Sequence, residues 1–447
     1  MEFPEEIFRS YDIRGTVDQL SPELAYRVGQ AMVKMTGAKK VVVGYDMRAT
    51  SPELAQKAIE GITSMGANVV NIGQATTPLL NFALSYYPDH EAGLMVTASH
   101  NPAEYNGFKM MRGDAMPISG KEVQKLIKEE EVGEEVGRVK GEVTTKEVVD
   151  EYLDYVVKKA AAPDLKGMKV VIDAGNGMSE VVLPKLFARL ACEMIPMYFE
   201  PDGTFPNHEA NPIKLETLTD LKKKVLAEKA DLGIALDGDG DRVIFVDEKG
   251  DHINGDVMLA ILADSRLKGN PERPVVWSAN ASWAVRDAIE ANRGLSIMEK
   301  VGRTNIIKRV KKEAAVIGGE VSAHYFYPEF SGLESTDFTI LLVLKLLKKS
   351  GGPMSELVKP FAKYVISGEI NFAVKDKEAA IESLGKKYKG QALEISTLDG
   401  IRSEFKDWWF NIRPSNTEPL IRLNLEAKSQ ELMATKRDEI AAFIKSL

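Results

Sequence analysis

Three short apolar segments, each followed by a stretch with a helical pattern, constrain the fold of this chain most strongly. Each segment stops at small and polar residues, as a buried strand does where it leaves a sheet. The strand and helix pairs are 40–46 with 51–65, 169–175 with 179–190, and 274–280 with 282–291. Strand and helix repeated at intervals of roughly a hundred residues predict three related α/β domains.

The last part of the chain has a different pattern. Residues 408–412 read as a strand, and 420–426 alternate between an apolar face and a polar face. The apolar face carries Ile421, Leu423 and Leu425, and the other face carries Arg422, Asn424 and Glu426. A loop between the strands predicts an antiparallel pair, and 430–444 predict an amphipathic helix, so we expect a small α+β domain here. With charged or glycine-rich joints at 129–146, near 251 and near 367, the expected domains are 1–146, 147–251, 252–366 and 367–447.

The net charge of -8 argues against nucleic acid or an anionic membrane as the main partner, because phosphate-rich surfaces bind basic proteins. The single cysteine, Cys192, allows no intramolecular disulfide and fits a reducing compartment. The first residues lack the basic start and apolar run of a signal peptide. The most apolar helical stretch, 339–347, is too short to span a bilayer and contains Lys345. We therefore expect a cytoplasmic protein.

A serine follows the apolar strand 93–97, at the end of a strand where ligands gather in α/β sheets. The loop continues as Ser99-His100-Asn-Pro, and Gly107 lets the backbone fold back so that Lys109 returns toward Ser99. A serine that accepts phosphate needs nearby cations or proton carriers, and His100 and Lys109 are suitable types. No Gly-x-Ser-x-Gly elbow surrounds the serine, which argues against a hydrolase. A polar turn with an incidental serine fits these residues equally well.

Three aspartates, Asp237, Asp239 and Asp241, alternate with glycines between two predicted strands. Carboxylates spaced in this way can converge on one hard cation, and ligation by oxygen alone favours Mg²⁺ over zinc. With Glu248 they also occupy positions 1, 3, 5 and 12 of an EF-hand loop. However, Arg242 stands where that loop needs glycine, and the flanking segments read as strands rather than helices. The pattern therefore favours a catalytic Mg²⁺ site.

A third loop has the sequence Gly-Gly-Glu-Val-Ser-Ala-His at 318–324. Glu320 and Ser322 can hydrogen-bond to adjacent hydroxyls of a sugar, and the aromatic residues beyond can pack on an apolar sugar face. An ordinary turn with a core histidine at His324 explains the pattern about as well.

A fourth loop, Arg-Pro-Ser-Asn-Thr-Glu-Pro at 413–419, joins the two strands of the last segment. Arg413 can grip a phosphate with two donors. The remaining phosphate oxygens can be surrounded by backbone N–H groups and by the side chains of Ser415, Asn416 and Thr417. A hairpin turn is the alternative, because serine, asparagine and proline are turn formers.

Together the four loops resemble those of the α-D-phosphohexomutases, in that family's order. The sequence Tyr-Asp-Ile-Arg-Gly at 11–15 extends the similarity to essentially the whole chain. The resemblance implies three α/β domains with mixed sheets and a C-terminal α+β domain around a central cleft. It also implies that Ser99 is a phosphoserine and that its phosphate binds Mg²⁺ together with Asp237, Asp239 and Asp241.

The resemblance implies roles for the other loop residues. Phosphoryl and proton transfer fall to Arg14, His100 and Lys109, and Arg242 supports the metal loop or the phosphate. Glu320, Ser322 and His324 contact the sugar, and the phosphate that is not reacting is held by Arg413, Ser415, Asn416 and Thr417. One departure concerns the third domain, where some relatives carry a lysine soon after the first strand and residues 278–282 have none. Gly302 and Arg303 are the candidates to supply that contact.

The implied reaction passes the serine's phosphate to a hexose phosphate, giving a 1,6-bisphosphate that turns over and returns its other phosphate to Ser99. Glucose or mannose 1,6-bisphosphate is then an activator. Residues 105–109 and 319–326 are closer to the phosphomannomutase/phosphoglucomutase branch. Phosphoglucosamine mutase is the alternative, since its sugar loop more often has glutamine at the position of Val321. A sugar phosphatase and a non-enzymatic sugar-phosphate sensor are more remote.

Overall fold

The computed structural model describes residues 3–129, 139–415 and 420–447. They form two compact units, one from the residues up to 254 with 322–357, the other from 255–321 with 358–447. Within the described residues, no helix combines the length and hydropathy needed to cross a membrane.

The first sheet of the larger unit is mixed. Its strands are β1 (Ile13–Thr16), β2 (Lys40–Tyr45), β3 (Asn68–Gln74), β4 (Ala92–Val96), β5 (Tyr105–Arg112), β6 (Pro117–Ile118) and β7 (Val143–Thr145). The order is β1-β5-β4-β2-β3-β7, with β6 beside β5; β2 is parallel to β3 and β4, whereas β5 runs antiparallel to β4 and to β1. Its helices are α1 (Pro22–Thr36), α2 (Ser51–Ser64), α3 (Thr77–Tyr86) and α4 (Gly120–Lys128).

Two glycines allow α1 and α2 to pack backbone against backbone. A Cβ at Gly61 would lie 1.9 Å from the carbonyl oxygen of Tyr26, and one at Gly29 would lie 2.1 Å from that of Ala58. Real side chains never approach so closely, so glycine is required at both positions. The two helices cover the apolar residues of β2 and β4 and close the core of this sheet.

The second sheet of the larger unit follows after α5 (Val149–Ala160). It contains β8 (Lys169–Asp173), β9 (Glu193–Met197), β10 (Leu232–Leu236), β11 (Val243–Val246) and β12 (His252–Ile253), with helices α6 (Leu183–Ala188) and α7 (Thr219–Glu228). The order is β12-β11-β10-β8-β9, and β10 is parallel to β8 but antiparallel to β11. The prediction of one helix over 179–190 is wrong. A 3-10 turn at Met178–Val181 precedes the short α6, which begins beside Pro184 because proline fits only the first turn of a helix.

The smaller unit begins with α8 (Gly255–Leu267), β13 (Pro274–Ser278), α9 (Trp283–Ala291), β14 (Leu295–Glu299), α10 (Arg303–Glu313) and β15 (Ile317–Gly319). Here β13 is parallel to both β14 and β15. The chain then returns to the larger unit, where it forms β16 (Tyr325–Phe326), α11 (Thr336–Ser350) and most of α12 (Met354–Val358).

The last domain consists of β17 (Val365–Ala373), α13 (Lys377–Tyr388), β18 (Glu394–Ser396), β19 (Ile401–Glu404), β20 (Trp408–Pro414), β21 (Leu420–Ala427) and α14 (Gln430–Lys445). Its strands form an antiparallel sheet in the order β17-β21-β20-β19-β18. The predicted α/β class with mixed sheets and a final α+β domain is confirmed. The polar face of β21 is not solvated throughout, because Glu426 is fully buried and accepts hydrogen bonds from Trp283 N and Trp409 Nε1.

Candidate active site

Ser99 lies at the tip of the loop that joins β4 to β5. Its backbone has a positive φ of 53°, which is strained for a serine and persists only where the surroundings enforce it. The side chain is almost fully buried, and its Oγ donates a hydrogen bond to Asp237 Oδ2 at 2.8 Å. His100 Nδ1 lies 3.1 Å from the same Oγ. The loop therefore presents one serine hydroxyl to a carboxylate and an imidazole.

Arg48 holds this loop in place. Its guanidinium donates to the carbonyl oxygens of Ser99, Asn101, Pro102 and Tyr105, at 2.6–3.0 Å. The side chain is buried and is itself fixed by Asp46, whose Oδ2 accepts from Arg48 Nε at 3.2 Å. The role of Arg48 was not predicted from the sequence. The only indication in the sequence is that the apolar strand β2 is followed directly by an Asp-x-Arg sequence.

The three aspartates occupy the turn between the antiparallel strands β10 and β11. Asp237 Oδ1 accepts from the backbone N–H groups of Asp241 and Arg242, and Gly240 supplies the positive φ of 70° that the turn requires. All three carboxylates are buried, and their candidate ligand atoms lie within 4.8 Å of one another. The sequence predicted this convergence.

Two side chains, from strand β5 and from the start of helix α3, meet the aspartates. Lys109 Nζ donates to Asp239 Oδ2 and to Asp241 Oδ2, both at 2.5 Å, and Thr77 Oγ1 also donates to Asp239 Oδ2. Asp239 Oδ1 remains buried without a hydrogen-bond partner. An oxygen-only set with one buried, unused carboxylate oxygen fits a hard cation such as Mg²⁺.

The charges in this cluster shift the pKa values of two aspartates in opposite directions. Burial, with repulsion from Asp241 and Asp239, holds the pKa of Asp237 well above its usual range. Burial also raises the pKa of Asp241, but Lys109, His324 and Arg242 outweigh it and hold that pKa well below its usual range. The three buried carboxylates therefore repel one another, and nearby cations are needed to keep them ionised.

Arg14 and His100 flank the serine loop. Arg14 Nη1 donates to Asn101 Oδ1 at 2.8 Å, and its Nη2 pairs with Asp12 at 2.6 Å. Burial, together with the positive charges of Arg242 and Arg14, holds the pKa of His100 well below its usual value, so the imidazole is neutral at neutral pH. The structure therefore places His100 beside Ser99 and Arg14 beside Asn101 of the same loop.

His324 lies beside the aspartate turn. Its Nε2 is 3.3 Å from Asp241 Oδ1 and 3.3 Å from Arg242 Nε, while Ser322 Oγ lies 2.9 Å from its Nδ1. This histidine connects the third predicted loop with the predicted metal residues.

Within the smaller unit, Glu320 and Gly302 come together. Glu320 Oε1 accepts from Gly302 N at 2.7 Å, and the carboxylate is almost fully buried. Arg303 follows as the first residue of α10. The grouping of Glu320 with 302–303 could not be read from sequence, because 18 positions separate the two bonded residues.

The fourth loop follows β20. Arg413 and Arg422 both pair with Glu369, at 2.8 and 2.9 Å, and Lys377 Nζ donates to the carbonyl oxygen of Ser415 at 3.0 Å. Arg413 and Ser415 were predicted from the sequence, whereas roles for Glu369, Lys377 and Arg422 were not. Asn416 and Thr417 lie outside the described residues.

Comparisons with known proteins match the chain over its whole length. Family models described as phosphoglucomutase/phosphomannomutase alpha/beta/alpha domains I, II and III match residues 5–135, 150–250 and 254–364, and the C-terminal domain of that family matches 369–443. The phosphomannomutase of Vibrio cholerae is 37% identical over 98% of each chain. That of Methanocaldococcus jannaschii is 36% identical over 99% of this chain and 98% of its own. The crystal structure of a phosphoglucomutase/phosphomannomutase family protein from Burkholderia thailandensis has a TM-score of 0.91 at 30% identity, covering 100% of this chain and 98% of its own.

Proposed function

The chain belongs to the phosphoglucomutase/phosphomannomutase family, and on that premise we propose that it interconverts hexose 1-phosphates and hexose 6-phosphates through phosphorylated Ser99. Its activity is that of a hexose-phosphate mutase, an isomerase, in keeping with relatives named phosphomannomutase. The observation that carries the assignment to Ser99 is its position. The hydroxyl lies 2.8 Å from a buried aspartate triad, on a strained loop that Arg48 anchors.

In the first half-reaction, the bond between phosphorus and Ser99 Oγ breaks while a free hydroxyl oxygen of the substrate bonds to the phosphorus. The attacking hydroxyl loses a proton and Ser99 Oγ gains one. The proton that the hydroxyl loses balances the one that Oγ gains. His100 Nδ1 lies 3.1 Å from Oγ, and as a neutral imidazole it can accept the Oγ proton when Ser99 takes up phosphate again. The second half-reaction reverses these steps at the other end of the sugar, and the phosphate returns to Ser99.

Asp237, Asp239 and Asp241 would hold Mg²⁺ together with the phosphate on Ser99. When bound, the ion neutralises charge on the phosphoryl oxygens. Lys109 supplies a cation at the same place through its contacts with Asp239 and Asp241, and Arg14 adds a second beside Asn101. Buried cations of this kind favour phosphoryl transfer because they are positioned before the reaction begins.

The remaining loops hold the substrate. Glu320 and Ser322 would hydrogen-bond to O3 and O4 of the sugar, and these two oxygens exchange places when the intermediate turns. The site would therefore discriminate only weakly between the two configurations at C2. Both glucose and mannose phosphates are then substrates, and glucose 1,6-bisphosphate or mannose 1,6-bisphosphate would recharge dephosphorylated Ser99. His324, Arg242, Gly302 and Arg303 would complete the sugar site, and Arg413, Ser415, Asn416 and Thr417 would hold the distal phosphate.

Other parts of the proposal concern organisation and setting. We assign one loop of the site to each of the domains 1–146, 147–251, 252–366 and 367–447. We place the protein in the cytoplasm, with a hexose phosphate rather than a nucleic acid or a membrane as its partner, consistent with the net charge of -8.

Phosphorus NMR tests the proposal. The purified protein, with Mg²⁺ and a trace of glucose 1,6-bisphosphate, is given mannose 1-phosphate, glucose 1-phosphate or glucosamine 1-phosphate separately. We expect conversion of the first two to 6-phosphates and loss of conversion in Ser99→Ala. Preference for the glucosamine compound would assign the chain to the phosphoglucosamine branch. Release of inorganic phosphate alone, or no conversion, would refute the mutase proposal.

A further inference from the structure

Two arginines of the C-terminal sheet face each other across adjacent strands. Arg413 of β20 stands directly opposite Arg422 of β21 in the antiparallel register. Like charges directly opposite in a sheet repel and destabilise the pair unless an anion lies between them. The chain supplies that anion itself, because Glu369 Oε2 pairs with Arg413 Nη2 at 2.8 Å and its Oε1 pairs with Arg422 Nη1 at 2.9 Å.

The position of Glu369 is set by an irregularity in β17. The register of β17 against β21 shifts between Ile366 and Glu369, and Gly368 has a positive φ of 69°. Such a bulge re-aims the side chains beside it. Glu369 therefore reaches the arginine pair from the edge strand while remaining partly exposed, with 31% of its side-chain surface accessible to solvent.

The same donors are the ones that a phosphate would use. A carboxylate that accepts one hydrogen bond from each of two guanidinium groups has the bonding pattern of a phosphate in an arginine site. Next to the pair, Ser415 Oγ accepts from Arg422 Nη2 at 3.4 Å, and the Ser415 carbonyl oxygen accepts from Lys377 Nζ at 3.0 Å. A dianionic phosphate arriving here must displace Glu369 or bind beside its negative charge.

We propose that Glu369 is a built-in competitor for the phosphate at Arg413 and Arg422, and that it lowers the affinity of this arginine pair for phosphate. The advantage of a lower phosphate affinity rests on the proposed function. A mutase of this kind must release the distal phosphate in every cycle so that the bisphosphate can turn. A loop with an unopposed arginine pair would hold that phosphate too long. Glu369 is thus a positioning residue that speeds release without touching the reacting atoms.

Glu369→Gln tests the proposal, because it removes the negative charge and keeps the shape of the side chain. Two charges about 6 Å apart near a protein surface interact strongly enough that we expect inorganic phosphate to bind about tenfold more tightly to the variant. The gain should shrink as salt is added. Titration calorimetry of the full-length chain with inorganic phosphate measures both effects.

Glu394→Gln is the matched control. Glu394 is an exposed glutamate on β18, at the opposite edge of the same sheet. Both substitutions therefore remove one negative charge from the same domain. Its affinity for phosphate should equal that of the wild type. In steady-state kinetics, Glu369→Gln should lower both KM and kcat for the hexose phosphate. A thermal melt of each variant confirms folding.

Unchanged or weaker phosphate binding in folded Glu369→Gln would overturn the competitor role and make Glu369 an ordinary orienting partner of the arginines. This outcome is separate from the fate of the proposed function. Wild-type protein that fails to convert hexose phosphates refutes the mutase assignment, whereas calorimetry with inorganic phosphate still reports on Glu369.

Discussion

Replacement of Arg48 by lysine should separate catalysis from substrate binding. The substitution keeps the positive charge beside Asp46 but removes the planar guanidinium that donates to four carbonyl oxygens of the serine loop. An ammonium group has three donors, so at least one buried carbonyl loses its partner. The loop, including the strained backbone of Ser99, would then relax from its present position.

The magnitude follows from these contacts. Each buried acceptor left without a partner costs about 1–3 kcal/mol, so the free energy of unfolding should fall by about 2–4 kcal/mol. A displacement of about 1 Å of a reacting group costs roughly a hundredfold in rate. We therefore expect kcat to fall by about two orders of magnitude. KM should stay within a few fold, because the sugar and distal phosphate are assigned to other loops.

The assay is a coupled measurement of glucose 6-phosphate formation, with circular dichroism melts on the same preparations. Arg266→Lys is the control, because Arg266 also donates to a backbone carbonyl oxygen, that of Val316, and both residues belong to the smaller unit, whereas the serine loop belongs to the larger one. It should lose stability and retain kcat. A folded Arg48→Lys protein with kcat within threefold of the wild type, or an equal loss of kcat in the control, would refute the role of Arg48.

Three further predictions concern the metal, the pH dependence of stability and helix packing. Asp239→Asn should weaken Mn²⁺ binding at least about tenfold, measured by electron paramagnetic resonance without turnover; unchanged binding would exclude Asp239 as a ligand. Burial raises the pKa of Glu426 to about 7 from 4.5, so the folded chain retains a proton that the unfolded chain releases between those values. The free energy of unfolding of the wild type, taken relative to that of Glu426→Gln, should therefore fall by at most about 3 kcal/mol from pH 4.5 to 7. If the difference in melting temperature between the two proteins is the same at pH 5 and pH 8, this expectation is contradicted. Gly61→Ala should cost about 1–3 kcal/mol or more by thermal melting, because its Cβ meets the carbonyl oxygen of Tyr26, whereas Gly390→Ala, at a glycine without a positive φ, meets no atom within 4 Å.

Most of the local structure around the site could be predicted from the sequence. The apolar run before Ser99 predicted β4, and the alternation of aspartate with glycine predicted a turn between strands whose carboxylates converge. Both predictions depend on residues close together in the chain, for which strand periodicity and turn chemistry are sufficient. The helix expected over 179–190 failed for a similar local reason, since Pro184 limits where a helix can begin.

What the sequence left out depends on pairs that are distant in the chain. Arg48 meets Ser99 across 51 positions, and Lys109 meets Asp239 across 130. Register and sheet order bring these groups together, and neither can be read from one strand alone. Buried arginines that bind backbone carbonyls are especially hard to recognise, because the acceptor is present in every residue and leaves no sequence signature.

The same distant pairs determine how tightly the predicted ligands bind. The aspartates suited to a divalent cation already pair with Lys109, and the arginines suited to a phosphate already pair with Glu369. Ligand affinity at each place is therefore a difference between two sets of charge interactions, rather than the sum of the ligand's own contacts. A chain with bare charges would bind its ligands more tightly, but it would be less stable without them and slower to release them. In the proposed mechanism, where the intermediate leaves one phosphate site and returns reversed, we expect this difference to set the rate of turning.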